Sequence, residues 1–470
     1  MTDVIVIGAG PAGVMAALRA ARLGASTALV TRDEFGGMAA NDGPIPVRTL
    51  AHAARLMRES RQLGRYGVAV SEPRLEYPRL LGRVREVVNQ VRSHSAFRAD
   101  LDGLGVTIHE RAGNLHFVDS HTVEADNGLR LQGEKLILCA GGCSRKLRVP
   151  GSDLTATHSD AWHLTAIPPT MLVIGAGATG AQVASIFNAF GTKVHLYETG
   201  PRILPTEDED VSIVVTKAFR DSGITIHENF GTIGGFEKSA GGVRMTYSKN
   251  GTPRTDEANV VIIAIGWAAD TAGLDLPAAG VNLNSRGYVS VDSYLRTSVP
   301  HIFAAGDITG RLMLLPQAAR DGFVAATNAV GGSKMLADHP VNPIGSFTDP
   351  EYAQVGLTEA KARETHDVLV SKTLFEDALR PTIDGRTTGF CKLIVDRGTN
   401  TILGCHIVGE RAVEIIQMAS IAMVGGVQID ELARIPLSMP TYTGVLLRAV
   451  NRATAELGHE PRPELLDLAA

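Results

Sequence analysis

The sequence predicts an α/β protein in which one strand–turn–helix unit is built twice, and three observations carry that prediction. A glycine-rich turn, "GAGPAG", follows a short β-branched run near the N-terminus, and the same turn returns as "GAGATG" after "TMLVI". A third apolar strand, "HIFAAGD", ends in a Gly-Asp pair. Glycine supplies 50 of the 470 residues, the composition of a fold with many tight strand–helix turns.

The first unit begins at Val4–Ile7. Gly8 permits the tight turn, Gly10 lets the backbone approach a pyrophosphate, and Gly13 allows close helix–strand packing. Pro11 and Ala12 open the helix, whose free N–H groups and positive dipole end face the phosphates. An acid after the second strand would hold the adenosine ribose. Thr31 stands there and Asp33 two positions later, so either Asp33 substitutes or backbone holds the sugar. "KLILCAGG" is a buried strand running into small residues, Ala140 and Gly141, suited to packing against a dinucleotide.

The second unit repeats the spacing with Gly175, Gly177 and Gly180, and Thr179 sits within the turn. Its next strand, "KVHLYE", ends in Glu198, which accepts from a ribose diol and repels a 2′-phosphate. NADH is therefore favoured over NADPH, although Arg202 in "PRILP" lies close enough to offer a phosphate its charge. Gly266, in "AIGW", is assigned to cofactor binding as well. In "SVPHIFAAGDITG", Gly306-Asp307 puts a carboxylate against a flavin ribityl hydroxyl.

Bulk properties narrow the class. The length suggests roughly three domains at ~100–200 residues each. Apolar residues make up 44% and charged residues 20%, with a net charge of −5. There is no basic stripe, so neither nucleic acid nor an anionic membrane surface is an expected partner. The 4 cysteines form no zinc pattern and are too few for a disulfide framework. The 14 histidines show no ligand spacing, and no metal is expected. A strand at the very start leaves no room for a signal peptide, and no apolar run approaches the ~20 residues of a membrane span. The expected location is the cytoplasm.

With these elements in order, the chain resembles the pyridine-nucleotide–disulfide oxidoreductases. The resemblance covers nearly all of it. "VVIIAIGWAADTAGLDLPAAGVNLNSRGYVSVDSYLRTSVPHIFAAGD" is similar to the family's segment linking the two nucleotide folds. "SFTDPEYAQVGLTEAKA" and "ILGCHIVGERAVEIIQMASIAM" are similar to its C-terminal dimerisation domain. The resemblance implies two Rossmann-like dinucleotide-binding domains and a C-terminal α+β domain. It further implies FAD in the first fold, NADH or NADPH in the second, and a homodimer. The expected division is 1–155 with 287–335 for FAD, 156–286 for NAD(P), and 336–470 for dimerisation, ending in a frayed tail, "HEPRPELLDLAA".

Three departures then define the chemistry. The family follows its Gly-Gly pair, here Gly36 and Gly37 before Met38, with Cys-x4-Cys. Ala39 and Pro44 occupy those positions, and neither can be a thiolate, which disulfide reduction requires. The remaining Cys139, Cys143, Cys391 and Cys405 read as buried small hydrophobes. The partner subunit's His-x-His-Pro-Thr-x-x-Glu becomes "LSMPTYTG", with Leu437, Met439 and Gly444 in place of the acid–base groups. The family's Lys–Glu pair beside the flavin becomes Arg48 and Gln182, a lone positive charge. Either water reaches Arg48, or the flavin supplies the counter-charge; alternatively Arg48 only caps local structure.

These losses leave hydride transfer from nicotinamide to flavin intact and remove the disulfide exit. The expected activity is an NAD(P)H oxidoreductase passing electrons to a quinone or similar small acceptor, as in thiol-free quinone reductases on this scaffold. Oxygen and a second nicotinamide are the other exits; transhydrogenases keep the first cysteine. Small residues Ala39, Ala40, Gly43 and Pro44 would open a pocket, where Asn41, Asp42 and the partner's Thr441 or Tyr442 could donate to a quinone oxygen. Tyr442 is the candidate proton donor or ring platform. A non-catalytic FAD-binding dimer is the alternative, and the intact second glycine turn with Glu198 argues against it.

Overall fold

The structure, a computed structural model, describes residues 2–93, 96–332, 335–338 and 341–459. Its first sheet is built on β1 (Thr2–Ile7), β2 (Thr27–Val30) and β3 (Thr107–His109), which run parallel, with α1 (Pro11–Arg22) crossing from β1 to β2. Four helices, α2 (Gly37–Asn41), α3 (Pro44–Ser60), α4 (Tyr77–Ser93) and α5 (Ala96–Gly103), intervene before β3. An antiparallel meander, β4 (Leu115–Asp119) and β5 (Thr122–Ala125), leads into β6 (Arg130–Leu138), which returns parallel to β1. Val4 and Val6 pack towards α1, while Ile5 and Ile7 pack on the opposite face with Phe117 and Leu138. Both faces are covered, so the strand reads as one continuous apolar run.

The second unit repeats the design. β7 (Gly142–Ser144), β8 (Ala156–Thr157) and α6 (His158–Ala161) precede β9 (Thr170–Ile174), α7 (Ala178–Ala189) and β10 (Lys193–Glu198). Next come α8 (Glu209–Asp221), β11 (Thr225–Glu228), a meander of β12 (Thr232–Ser239), β13 (Gly242–Lys249) and β14 (Thr252–Ala258), and then β15 (Val260–Ile263). The parallel sheet runs β11-β10-β9-β15-β8. Met171 and Val173 face one core while Leu172 and Ile174 face another, as in β1. β16 (Trp267–Ala269) pairs back onto β7, and after α9 (Leu276–Ala279) the chain rejoins the first sheet through β17 (Ile302–Ala304) beside β6. α10 (Leu315–Gly331) then lies on α1 so closely that a Cβ on Gly322 would stand 2.0 Å from the Ala12 carbonyl oxygen.

The C-terminal region is an antiparallel sheet, β18 (Ile344–Ser346), β19 (Tyr352–Gly356), β22 (Ile402–Val408), β21 (Phe390–Asp396) and β20 (Val368–Leu374) in spatial order. It is joined by α11 (Glu359–Arg363), α12 (Leu379–Ile383), α13 (Ala412–Gly425), α14 (Ile429–Ala433) and α15 (Gly444–Glu456). A buried cation ties it to the second unit. Lys392 Nζ stands 2.9 Å from Asp208, 3.0 Å from Asp210 and 2.6 Å from Glu359. On α13, Ile421 and Val424 are 71% and 75% exposed, an apolar face of the kind that meets another subunit.

One expectation changes here, and another falls outside the described residues. Cys139, Cys391 and Cys405 are buried, but Cys143 is exposed, because the turn after β6 carries it onto the edge strand β7. The expected frayed tail, past His459, lies outside the described residues.

Candidate cofactor and acceptor site

The two glycine turns divide their labour identically. Gly8 and Gly175 have φ of +106° and +98°, and a Cβ on either would meet the carbonyl of Cys139 at 2.2 Å or of Ala264 at 2.4 Å. On Gly13 and Gly180, a Cβ would stand 1.7 Å and 1.9 Å from the carbonyl oxygens of Gly8 and Gly175. The middle glycines are different: Gly10 has only the Gly37 Cα at 4.0 Å, and Gly177 has nothing within 4 Å. Packing therefore demands the first and third glycines, while the middle one keeps a surface open for close approach. Neither Gly10 nor Gly177 caps its helix through a side chain, which leaves the helix N–H groups facing outward as anion donors.

A cavity of about 520 Å³ opens at the first turn. Gly8, Gly10, Pro11, Ala12, Gly37, Met38, Ala140, Gly141, Gly306 and Asp307 line it, and Arg48, Thr179 and Gln182 close its far wall. The Asp307 carboxylate has no hydrogen-bond partner among the described residues, and burial pushes its pKa up to about 6. A half-buried carboxylate without a protein partner favours a ligand hydroxyl that donates to it. With the Gly10 cradle, this set fits a dinucleotide cofactor with a ribityl chain. Thr31 and Asp33 both line the cavity, and Asp33 accepts from Arg32 Nε at 2.9 Å.

Ala39, Asn41, Asp42, Gly43 and Pro44 also line it, whereas Ala40 is buried outside the lining. Asn41 does not stand ready as a donor: its Nδ2 donates to the Phe35 and Gly37 carbonyls at 3.2 and 2.9 Å. Its Oδ1 is the atom left without a partner. Cys139 is the cysteine in the wall, and burial pushes its thiol far above the ordinary range.

Arg48 keeps the positive charge its sequence context implies and is held by neutral partners. Its Nη1 donates to Gln182 Oε1 at 2.8 Å, and its guanidinium lies 3.2 Å from the centre of the Phe347 ring. Burial lowers its pKa to about 10, opposed by Glu351, so it stays cationic at neutral pH. Phe347 comes from the C-terminal region, and no local pattern pointed to it.

Sequence reasoning also missed a polar cluster on the same wall. α6 brings His158 and Ser159 against Asp42, and Trp162 and Trp267 line the cavity beside them. The His158 ring meets Trp267 edge-on at 4.5 Å. Histidine spacing could not reveal this, because the partners are hydroxyls and one carboxylate rather than fellow ligands.

Other expected residues fall elsewhere. Glu198 ends β10 beside the second turn, where its carboxylate accepts from Ala176 N at 3.1 Å and Gly200 N at 2.8 Å. Arg202 is engaged on its own loop, donating to the carbonyls of Leu204, Pro205 and Glu207, and keeps its charge there. Gly266 lies past β15, with φ +105° and its carbonyl accepting from Arg145 N. Tyr442 does not line the cavity of its own chain. Its hydroxyl donates to Asp384 at 2.8 Å, and burial with that carboxylate raises its pKa, so it is a poor proton donor as it stands.

Comparison with known proteins agrees with this architecture. Residues 2–322 match the family model described as pyridine nucleotide-disulphide oxidoreductase, and residues 342–450 match that family's dimerisation domain. A dihydrolipoyl dehydrogenase of Mycobacterium tuberculosis is 34% identical over 468 residues, covering 94% of this chain and 96% of its own. A mercuric reductase of Bacillus cereus is 31% identical over 433 residues, covering 92% and 68%. The HOCl-induced flavoprotein disulfide reductase RclA from Escherichia coli superposes with a TM-score of 0.84 at 26% identity, covering 94% of this chain and 97% of that one. FAD and NAD(P)H are accordingly its cofactors, the matched dimerisation domain supports a homodimer, and the chain belongs to the pyridine nucleotide-disulphide oxidoreductase family.

Proposed function

We propose that this chain is a thiol-free member of its family: an FAD-dependent NADH oxidoreductase whose acceptor is a quinone or similar small molecule rather than a disulfide. The observation that carries the reading is the wall of the cavity beside Arg48. Ala39 and Pro44 stand where the redox pair is expected, and the one cysteine in the wall, Cys139, is held as a thiol by burial. A disulfide needs a thiolate to attack it; a quinone needs only space against the electron carrier.

FAD, when bound, supplies the two-electron carrier between nicotinamide and acceptor. The chain's own residues do the rest. Gly8, Gly10 and the N-terminus of α1 take the pyrophosphate, and Asp307 accepts from the ribityl chain. Gly177 and Glu198 bind the second nucleotide and favour NADH, since Glu198 faces a diol better than a phosphate. Arg48, held by Gln182 and Phe347, presents a cation to the reduced flavin anion. The domain division at 155/156 and 286/287 belongs to the same reading, supported by β8 and β17 joining different sheets.

The test is an anaerobic titration of the yellow protein with NADH and with NADPH, followed by menadione, with lipoamide and a disulfide dye as controls. Bleaching by NADH that menadione reverses and disulfides do not is the expected result. Reoxidation by lipoamide would overturn the acceptor assignment. Flavin that neither nucleotide bleaches would overturn the enzyme reading and leave a non-catalytic FAD-binding dimer.

A further inference from the structure

We propose that Asp42, Ser159 and His158 form a proton relay within one chain, delivering to the acceptor the proton that accompanies its reduction. The inference rests on the acceptor reading above and deepens it by naming the acid.

The geometry is directional. Ser159 Oγ donates to Asp42 Oδ2. His158 Nε2 lies 3.3 Å from Ser159 Oγ, and its Nδ1 lies 2.6 Å from Ser144 Oγ. With the Ser144 hydroxyl donating to Nδ1, Nε2 carries the ring hydrogen and donates to Ser159, whose own hydrogen goes to Asp42. Each donor thus points the same way, towards the carboxylate. Ser159 acts as a conduit, its hydrogen directed at the Asp42 carboxyl.

Asp42 is where the chain of donors ends at the wall. Its second oxygen, Oδ1, is buried with no hydrogen-bond partner among the described residues. The Nε2 of the exposed His163 lies 4.0 Å from it. Leaving such an oxygen bare costs roughly 1–3 kcal/mol; the Asp42 side chain lines the cavity and is 25% exposed, so a turn of the carboxyl that brings a protonated Oδ1 to an acceptor oxygen removes that cost. The groups facing Asp42 are His158, His163 and Asp160. Burial raises the Asp42 carboxyl and lowers the His158 imidazole, so both shifts favour the neutral form of each group.

The balance closes for a quinone. Its reduction adds two electrons and two protons. NADH provides both electrons and one proton as hydride, leaving NAD+. The second proton leaves Asp42 Oδ1 as the hydroquinone O–H bond forms. The proton is replaced along the donors already in line: Ser159 passes its hydrogen to Asp42, His158 Nε2 passes one to Ser159, Ser144 passes one to His158 Nδ1, and Ser144 takes one from solvent.

Two variants test this in the holoenzyme. Asp42→Asn keeps the shape and removes the titrating proton; Ser159→Ala breaks the bridge. Each is reduced anaerobically with NADH, then mixed in a stopped-flow cell with menadione or with ferricyanide, which takes electrons without a proton. In Asp42→Asn, the ratio of the menadione rate to the ferricyanide rate falls by about 100-fold; in Ser159→Ala it falls less, with a shifted pH profile. A second readout needs no acceptor: the infrared difference spectrum of dithionite reduction carries a protonated-carboxyl band that Asp42→Asn deletes. An unchanged ratio, or the absence of that band in the unsubstituted protein, overturns the relay. If menadione fails to reoxidise the unsubstituted protein, the acceptor reading falls, and the infrared band alone decides the relay.

Discussion

Gly177→Ala separates binding from folding at the second nucleotide turn. Gly177 has φ −74° and ψ −173°, which alanine adopts freely, and its new methyl would meet nothing within 4 Å. Replacing glycine by alanine at the helix cap costs about 1 kcal/mol, and stiffening the unfolded chain returns about 0.4–1 kcal/mol. The net change in stability is therefore close to zero. The methyl instead occupies the surface a pyrophosphate must touch, and a tenfold loss of NADH affinity, about 1.4 kcal/mol, is the expected effect. Gly175→Ala is the contrast. At φ +98°, with a Cβ 2.4 Å from the Ala264 carbonyl, it adds about 1–3 kcal/mol of backbone strain and a comparable overpacking cost. The assay pairs thermal unfolding with anaerobic NADH titration of the flavin absorbance. Gly177→Ala should melt with the unsubstituted protein, keep its yellow colour and bleach only at higher NADH. An unchanged NADH affinity, or a lowered melting temperature, would refute the assignment of that surface.

Arg48→Gln should lower the two-electron flavin potential, by about 30 mV for each 1.4 kcal/mol of anion stabilisation lost; a potentiometric titration that shows no decrease refutes the role. Glu198→Gln should raise the NADPH-to-NADH ratio of kcat/KM by about tenfold, or 1.4 kcal/mol, and an unmoved ratio would mean that specificity lies elsewhere. Lys392→Met should cost about 3–5 kcal/mol in denaturant unfolding near neutral pH. Lys392 holds Asp208, Asp210 and Glu359 below the usual carboxylate range, so the stability they contribute is present above that range and lost as pH falls through it. The gap between Lys392→Met and the unsubstituted protein must therefore narrow in acid, and a constant gap refutes the clamp.

The glycine turns were legible in sequence because their spacing encodes backbone geometry, and the structure has the tight turn at Gly8 and Gly175 and the close packing at Gly13 and Gly180. Glu198 and Asp307 were legible for a related reason: each ends a strand, where the sheet fixes its direction. What stayed hidden depends on contacts between distant segments. Ser159 reaches Asp42 across 117 positions, and Phe347 slides beneath Arg48 from another domain. Arg202 donates to three carbonyls of its own loop, a turn geometry that its place in the sequence did not show. Cys143 misled because a strand end can turn to an edge as easily as into a core.

The cation over Phe347 has a consequence for anyone recombining these proteins. The residue that shapes Arg48 belongs to the region matched as a dimerisation domain, and the same region sends Asp349 to Arg58 at 2.9 Å and to Ser185 Oγ at 3.2 Å. A chimera that grafts a relative's C-terminal module onto this chain would inherit a different electrical setting for its cofactor along with the new subunit contact. If Arg48 sets the cofactor's potential as proposed, redox tuning and assembly are inherited here as one unit.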